Sequence, residues 1–306
     1  MHSGAPDLWT VKCQAPLVLV VHGRPLASFR QEQKGDPGCS YLLIPELSSW
    51  PRIKALVHFW PEHRPYWEDL IQRDKHVVFD YPPIDQERFS PIGPVHIPGC
   101  DWGSGIIDTS KRGEWNGLIC DSWRDDVDIF EAACGALAAA KVVPGLKWHF
   151  YGMEPGKDGK LRLCWEFLLS KFREIGALGE VFGRMAGMDS VYRGMDFLLT
   201  PHRIITRCIG EALTIGLPVI AQSGCKLANR IADIYSPEDV AYAVYDLVKE
   251  MKVDREAPKA EALRYSAHLD LKSFGAKMSN LYSSILAGRR PSLLSCPQEE
   301  LSSDHC

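Results

Sequence analysis

Short apolar runs alternate with segments at helical spacing along most of this chain, and that alternation limits the fold more than any other feature. LVLVV (17–21), KALVHFW (54–60) and HVVFD (76–80) read as buried strands, with YWEDLIQRD (66–74) as a helix between the last two. The stretch YPPIDQERFSPIGPVHIPG (81–99) is dense in Pro and Gly and has no periodicity, so it reads as a linker and the best domain boundary. After it the alternation restarts. Strands WNGLICD (115–121), LKWHFYG (146–152), GEVFG (179–183), DFLLTP (196–201) and PVIA (218–221) follow in order. Between them lie helices over 125–141, 161–176, 188–195 and 202–215. A further helix, SPEDVAYAVYDLVKEM (236–251), opens with Ser-Pro-Glu-Asp, residues suited to the positive end of a helix. Strands apolar on both faces and separated by helices specify parallel sheets covered on both sides, an α/β fold. From Gly288 onward the polar tail reads as disordered.

Bulk properties narrow the function. At 306 residues the chain is long enough for two domains, because single cores stop growing at roughly 250–300 residues. Its net charge of −4 gives no electrostatic case for non-specific nucleic-acid binding. The ten cysteines are scattered, with no CxxC pair and no Cys/His spacing of a structural zinc site. They read as free, mostly buried thiols of a reducing compartment. No apolar run approaches the ~20 residues of a membrane span, and the N-terminus lacks a signal-peptide pattern. A cytoplasmic protein is expected. No G-x-G-x-x-G follows any candidate strand, which disfavours a dinucleotide dehydrogenase.

Open α/β sheets bind ligands at the carboxyl ends of their strands, near helix N-termini. That rule selects His22 and Arg24, Ser122-Trp123-Arg124, Gly152, and Pro201-His202-Arg203. Small residues at such turns let backbone N–H groups approach a phosphate, and arginine can hold two of its oxygens at once.

LGEVFGRMAGMDSVYRGMDFLLTP (178–201) and GEALTIGLPVIAQSG (210–224) resemble the donor-domain pattern of the GT-B glycosyltransferases, in particular the large retaining family 4. YPPIDQERFSP is similar to that family's interdomain linker. PEDVAYAVYDLVKE and SFGAKMSNLYSSIL are similar to its C-terminal helices, and LVLVVHGRP to an N-domain strand ending in a histidine-bearing turn. The ordered set spans roughly residues 16–287. The resemblance implies two Rossmann-like doubly wound domains. The expected boundaries are a first domain over 1–88, a donor domain over 89–268, a returning helix over 269–287 and the tail over 288–306. The family's Gly-rich loop and several strands ahead of the HG turn have no counterpart, since the turn comes at His22-Gly23. The first, acceptor-side domain is therefore expected to be shortened, and a protein partner that completes it is one consequence.

The resemblance also implies roles. Glu211 matches the second acid of the family's E-x7-E, which grips the donor ribose, a task suited to a carboxylate that accepts two hydrogen bonds from a vicinal diol. Its plainer alternative is a helix surface glutamate. Arg124 stands where the family presents a cation to the donor diphosphate, although SWRDD lacks the usual Arg-x4-Lys pair; it could also be a solvated arginine beside Asp125 and Asp126. The first acid is replaced by Arg203, next to His202; it and Arg207 would face an anionic sugar group or a phosphate, or only line a wall. Backbone N–H groups near Gly152 and Ser223-Gly224 would assist the departing diphosphate, and His22 would stand near the reacting sugar or be structural. The implied reaction is transfer from a nucleotide-diphospho-sugar with retention of configuration, without a cofactor. No DxD-like metal site stands out, so metal independence is expected. The acceptor stays open among glycans, lipids, proteins and nucleic-acid bases. The alternative is a non-catalytic nucleotide-sugar-binding or partner-binding protein derived from the same fold.

Overall fold

The computed structural model describes residues 15–21, 51–59, 75–78, 81–100, 107–121, 127–153, 159–183, 185–202, 206–223, 225, 227–267 and 269–289. The chain divides into two compact units, Met1–Pro82 with Lys272–Cys306, and Pro83–Leu271.

In the first unit, β1 (Leu17–Val21), β2 (Ile53–His58) and β3 (His76–Val78) form a parallel sheet in the order β1-β2-β3. Helix α7 (Leu271–Leu286) packs on it through Met278, Leu281 and Ile285, which meet Ala55, Val57 and Val77. The helix expected over 66–74 lies outside the described residues, as does His22.

The second unit is built on six parallel strands. These are β4 (Trp115–Cys120), β5 (Leu146–Tyr151), β6 (Leu178–Phe182), β7 (Phe197–Leu199), β8 (Val219–Ala221) and β9 (Arg230–Ile231), ordered β6-β5-β4-β7-β8-β9. Counted from β4, this is 3-2-1-4-5-6, the order of a doubly wound dinucleotide-type sheet. Helices α1 (Ile129–Val142), α2 (Gly159–Glu174) and α5 (Pro237–Val253) share one core with Trp148, Phe150, Leu199 and Ile220. Gly135 of α1 faces Val240 of α5 so closely that an added Cβ would lie 2.7 Å from the valine side chain. The alanines of α1 therefore serve close helix–helix approach. Helices α3 (Met188–Gly194) and α6 (Glu256–Ser266) each contact α4 (Arg207–Ile215), and α4 runs against β8.

The chain enters and leaves this unit side by side. The Ile84 amide donates to the Leu269 carbonyl at 2.7 Å, and Ile84 bridges to Asp270. Residues 83–99, read above as a linker, pack as part of the second unit. Arg193 donates to the carbonyls of Arg88, Ser90 and Pro94 at 2.8, 2.8 and 3.0 Å.

Three readings are corrected. The helix expected from 202 begins at Arg207, because its N-cap Thr206 is extended (φ −121°, ψ 169°). The helix expected from 125 begins at Ile129, and the Asp128 amide before it donates to Pro201. Of the six described cysteines, all free, only Cys120 and Cys225 are buried, while Cys134 and Cys164 are exposed on helix surfaces.

Candidate functional site

In a 3-2-1-4-5-6 sheet the connections that leave the first and fourth strands run to opposite faces, and the crevice between the carboxyl ends of those strands is where such folds take ligands. Here those strands are β4 and β7. β4 ends at Cys120 and is followed by Asp121; β7 is followed by Thr200, Pro201 and His202. His202 is buried, its amide donating to Thr200 Oγ1 at 3.3 Å and its Nε2 meeting Asp121 Oδ2. Helix α4 then starts at the same end of the sheet, so its first turn carries Arg207, Cys208 and, one turn on, Glu211.

Glu211 is the acid of the stretch that leads into Gly-Leu-Pro-Val. Gly216 closes α4 in the left-handed region (φ 86°), its amide returning to Ala212 and Leu213, and Pro218 leads into β8. The helix is amphipathic, and every residue from Ile209 to Ile215 is buried, Glu211 included. Arg207 Nε donates to Glu211 Oε1 at 2.7 Å, and Tyr192 Oη donates to Oε2 at 3.3 Å. Burial pushes the Glu211 carboxyl above its usual range, although Arg207, Tyr192 and Arg88 pull the other way. Tyr192 Oη also lies 3.6 Å from Cys120 Sγ. Cys120 is raised well above the ordinary thiol range by its hydrogen bond with Cys208 and by burial. The carboxylate, the tyrosine and two thiols thus form one half-sheltered cluster behind an exposed arginine.

A second polar network lies along β5 and β6. Glu180 accepts from His96 Nε2 and the Gly99 amide, both at 2.8 Å, and from Tyr151 Oη. The Glu180 amide donates to His149 Nδ1 at 3.1 Å, and His149 Nε2 lies 3.2 Å from Asn116 Oδ1. Asn116 in turn donates its amide to Asp196 at 2.7 Å, and Arg255 caps that aspartate. Burial alone would raise Glu180; its hydrogen bonds from His96, Tyr151 and Gly99 outweigh that and hold it below the usual carboxylate range. Burial also lowers His149 to about 4, against a partial opposing pull from Glu180. This network fastens residues 96–99 to the carboxyl half of the sheet.

No protein-family model matches the sequence, and no curated protein does. Solved structures do. An apo structure of OtsA aligns with a TM-score of 0.69 at 14% identity, covering 93% of this chain and 70% of that one. Sucrose-phosphate synthase from Thermosynechococcus elongatus aligns at 0.66 and 13%, covering 92% and 71%. The chain has the GT-B glycosyltransferase fold. HepE from Anabaena in complex with UDP shares it at 0.62 and 10%, covering 88% of this chain and 72% of that one.

Within the GT-B fold the residues selected from the sequence separate as follows. His202, Arg207 and Glu211 come together at the β7–α4 junction. Gly152 sits at the end of β5 with φ 80°, but its amide is already bifurcated between the carbonyls of Phe182 and Gly183 at 2.9 and 3.1 Å. That amide is taken by the sheet and does not point to a ligand. Ser223 is exposed beyond β8. His22, Arg124, Arg203 and Gly224 lie outside the described residues. Sequence reasoning missed Asp121, Tyr192 and Cys208. The signal for Asp121 was its place at the end of LICD, one residue before the turn already selected. No helix among the described residues is long and apolar enough to cross a membrane.

Proposed function

We propose that this chain transfers a sugar from a nucleotide-diphospho-sugar, with retention of configuration, and binds that donor in the crevice between the carboxyl ends of β4 and β7. The observation that carries this reading is the buried Glu211 carboxylate, on the helix that follows the fourth strand of a 3-2-1-4-5-6 sheet. Its neighbours supply the rest of the chemistry. The Arg207 side chain is 69% exposed, so it can leave Glu211 at little cost. Its departure frees one carboxylate oxygen for a ribose diol and one guanidinium for a phosphate oxygen. Charge that develops on the departing diphosphate is then met by Arg207 and by the positive end of the α4 dipole. This scheme uses no metal and no cofactor. The free cysteines fit a reducing, cytoplasmic setting.

UDP-, GDP- and ADP-sugars incubated with the chain test the reading by release of the free nucleoside diphosphate. Slow release from one donor class, abolished in Glu211→Ala, is the expected result. Proton NMR of the released or transferred sugar reports retention through its anomeric coupling. No release from any donor contradicts transfer, and tight binding without release would instead identify a donor-binding module.

A further inference from the structure

The end of β4 and the start of α4 bring three unlike metal-binding side chains together. The ligand atoms of Asp121, His202 and Cys208 lie within 4.8 Å of one another. Tetrahedral zinc, with bonds of about 2.0–2.3 Å to oxygen, nitrogen and sulfur, sets its ligand atoms about 3.3–3.8 Å apart. His202 Nε2 and Asp121 Oδ2 are in direct contact, closer than that spacing, so the Asp121 carboxylate must turn away from the imidazole to admit the ion. His202 is buried, while Asp121 and Cys208 are half-buried. An imidazole, a thiolate and a carboxylate together favour a borderline ion such as zinc over hard cations such as calcium or magnesium.

We propose that Asp121, His202 and Cys208 form a zinc-binding site at the crevice floor. Three protein ligands leave the fourth position open to water, as in catalytic zinc sites, unlike the closed four-ligand sites of structural zinc. Loading displaces one proton from the Cys208 sulfur to solvent, and the ion takes the place of the contact between His202 and Asp121, so affinity rises with pH. Cys120 lies beside Cys208 but stands outside the ligand set, hydrogen-bonded to Tyr192. The site is independent of the donor reading above, whose transfer chemistry does not call on the ion.

The test uses the 306-residue chain, stripped with a chelator and kept reduced. Zinc is titrated against a chromophoric chelator, and cobalt is used as a spectroscopic stand-in. A single tight zinc equivalent and a thiolate-to-cobalt charge-transfer band are expected. Both should be lost in Cys208→Ser, with zinc affinity down at least about 100-fold, beyond the roughly 10–100-fold that loss of an outer-shell partner costs. His202→Ala should weaken binding comparably, while Cys120→Ala and the surface variants Cys134→Ser and Cys164→Ser leave the band in place. Thermal melts of the metal-free variants show that each is folded. No uptake by the wild type, uptake without the thiolate band, or uptake that survives Cys208→Ser each overturns the proposal.

Discussion

Glu180→Ala should unfasten residues 96–99 from the sheet, and its size follows from the hydrogen bonds it breaks. The carboxylate serves three donors, His96 Nε2, Tyr151 Oη and the Gly99 amide, and the His96 and Glu180 side chains are only 8% and 7% exposed. Solvent cannot take over those donors without structural change. Each buried group left unpaired costs about 1–3 kcal/mol, and because the three are neighbours the losses do not simply add. The expected loss is about 3–5 kcal/mol, a large share of the 5–15 kcal/mol typical of a domain. At about 2–4 °C per kcal/mol for a unit of this size, the melting temperature should fall by about 6–20 °C. Urea unfolding gives the free energy, and hydrogen exchange at the Gly99 amide gives the location. Glu180→Gln, which keeps one acceptor oxygen, should recover part of the loss. A loss below about 1 kcal/mol, or unchanged exchange at Gly99, would refute the reasoning.

Two further outcomes follow from the same part of the molecule. His149 stays neutral in the folded chain down to about pH 4, whereas the unfolded imidazole takes up its proton near 6.5. Its contribution to stability is therefore complete above pH 6.5 and lost as the pH falls from there towards 4, by up to about 3 kcal/mol; Glu180, whose carboxyl is held low, adds a loss only at more acid pH, below its usual value of 4.5. NMR titration of the His149 ring should show it unprotonated at pH 5, and a ring that titrates near 6.5 would contradict the burial argument. Gly194→Ala would place a Cβ 1.8 Å from the His96 carbonyl oxygen, a backbone atom that cannot rotate aside. Limited proteolysis should then cut within 92–100 well before the wild type is cut, and equal resistance would show that the segment sits elsewhere.

What the sequence revealed and what it hid have physical reasons. LVLVV is apolar on both faces, and WNGLIC and LKWHFY are mostly apolar and buried on both faces, so these runs announce parallel sheets without any partner in view. Helix α6 gave no such signal, because it buries only Pro258, Ala262 and Ser266, too small and too few to make an apolar stripe. β9 is two residues long and passes below any periodicity. The start of α4 was misjudged because Ile204 and Ile205 in the sequence extend the apolar pattern backwards, whereas an extended Thr206 ends it. At the site, Glu211 stands in a contiguous motif and was legible. Asp121 and His202 are separated by 81 positions and meet only because β4 and β7 are neighbours in the sheet. His96 and Glu180, 84 positions apart, meet for a similar reason, the folding of residues 83–99 onto the second unit.

The central claim is that the β4–β7 crevice binds a nucleoside diphosphate through Glu211. Isothermal titration of the chain with UDP, GDP and ADP, in parallel with Glu211→Ala, tests it most directly. The account predicts that one nucleotide binds the wild type and binds the folded variant at least tenfold more weakly, a difference of about 1.4 kcal/mol. Equal affinity for wild type and variant, or no binding of any of the three, would contradict it.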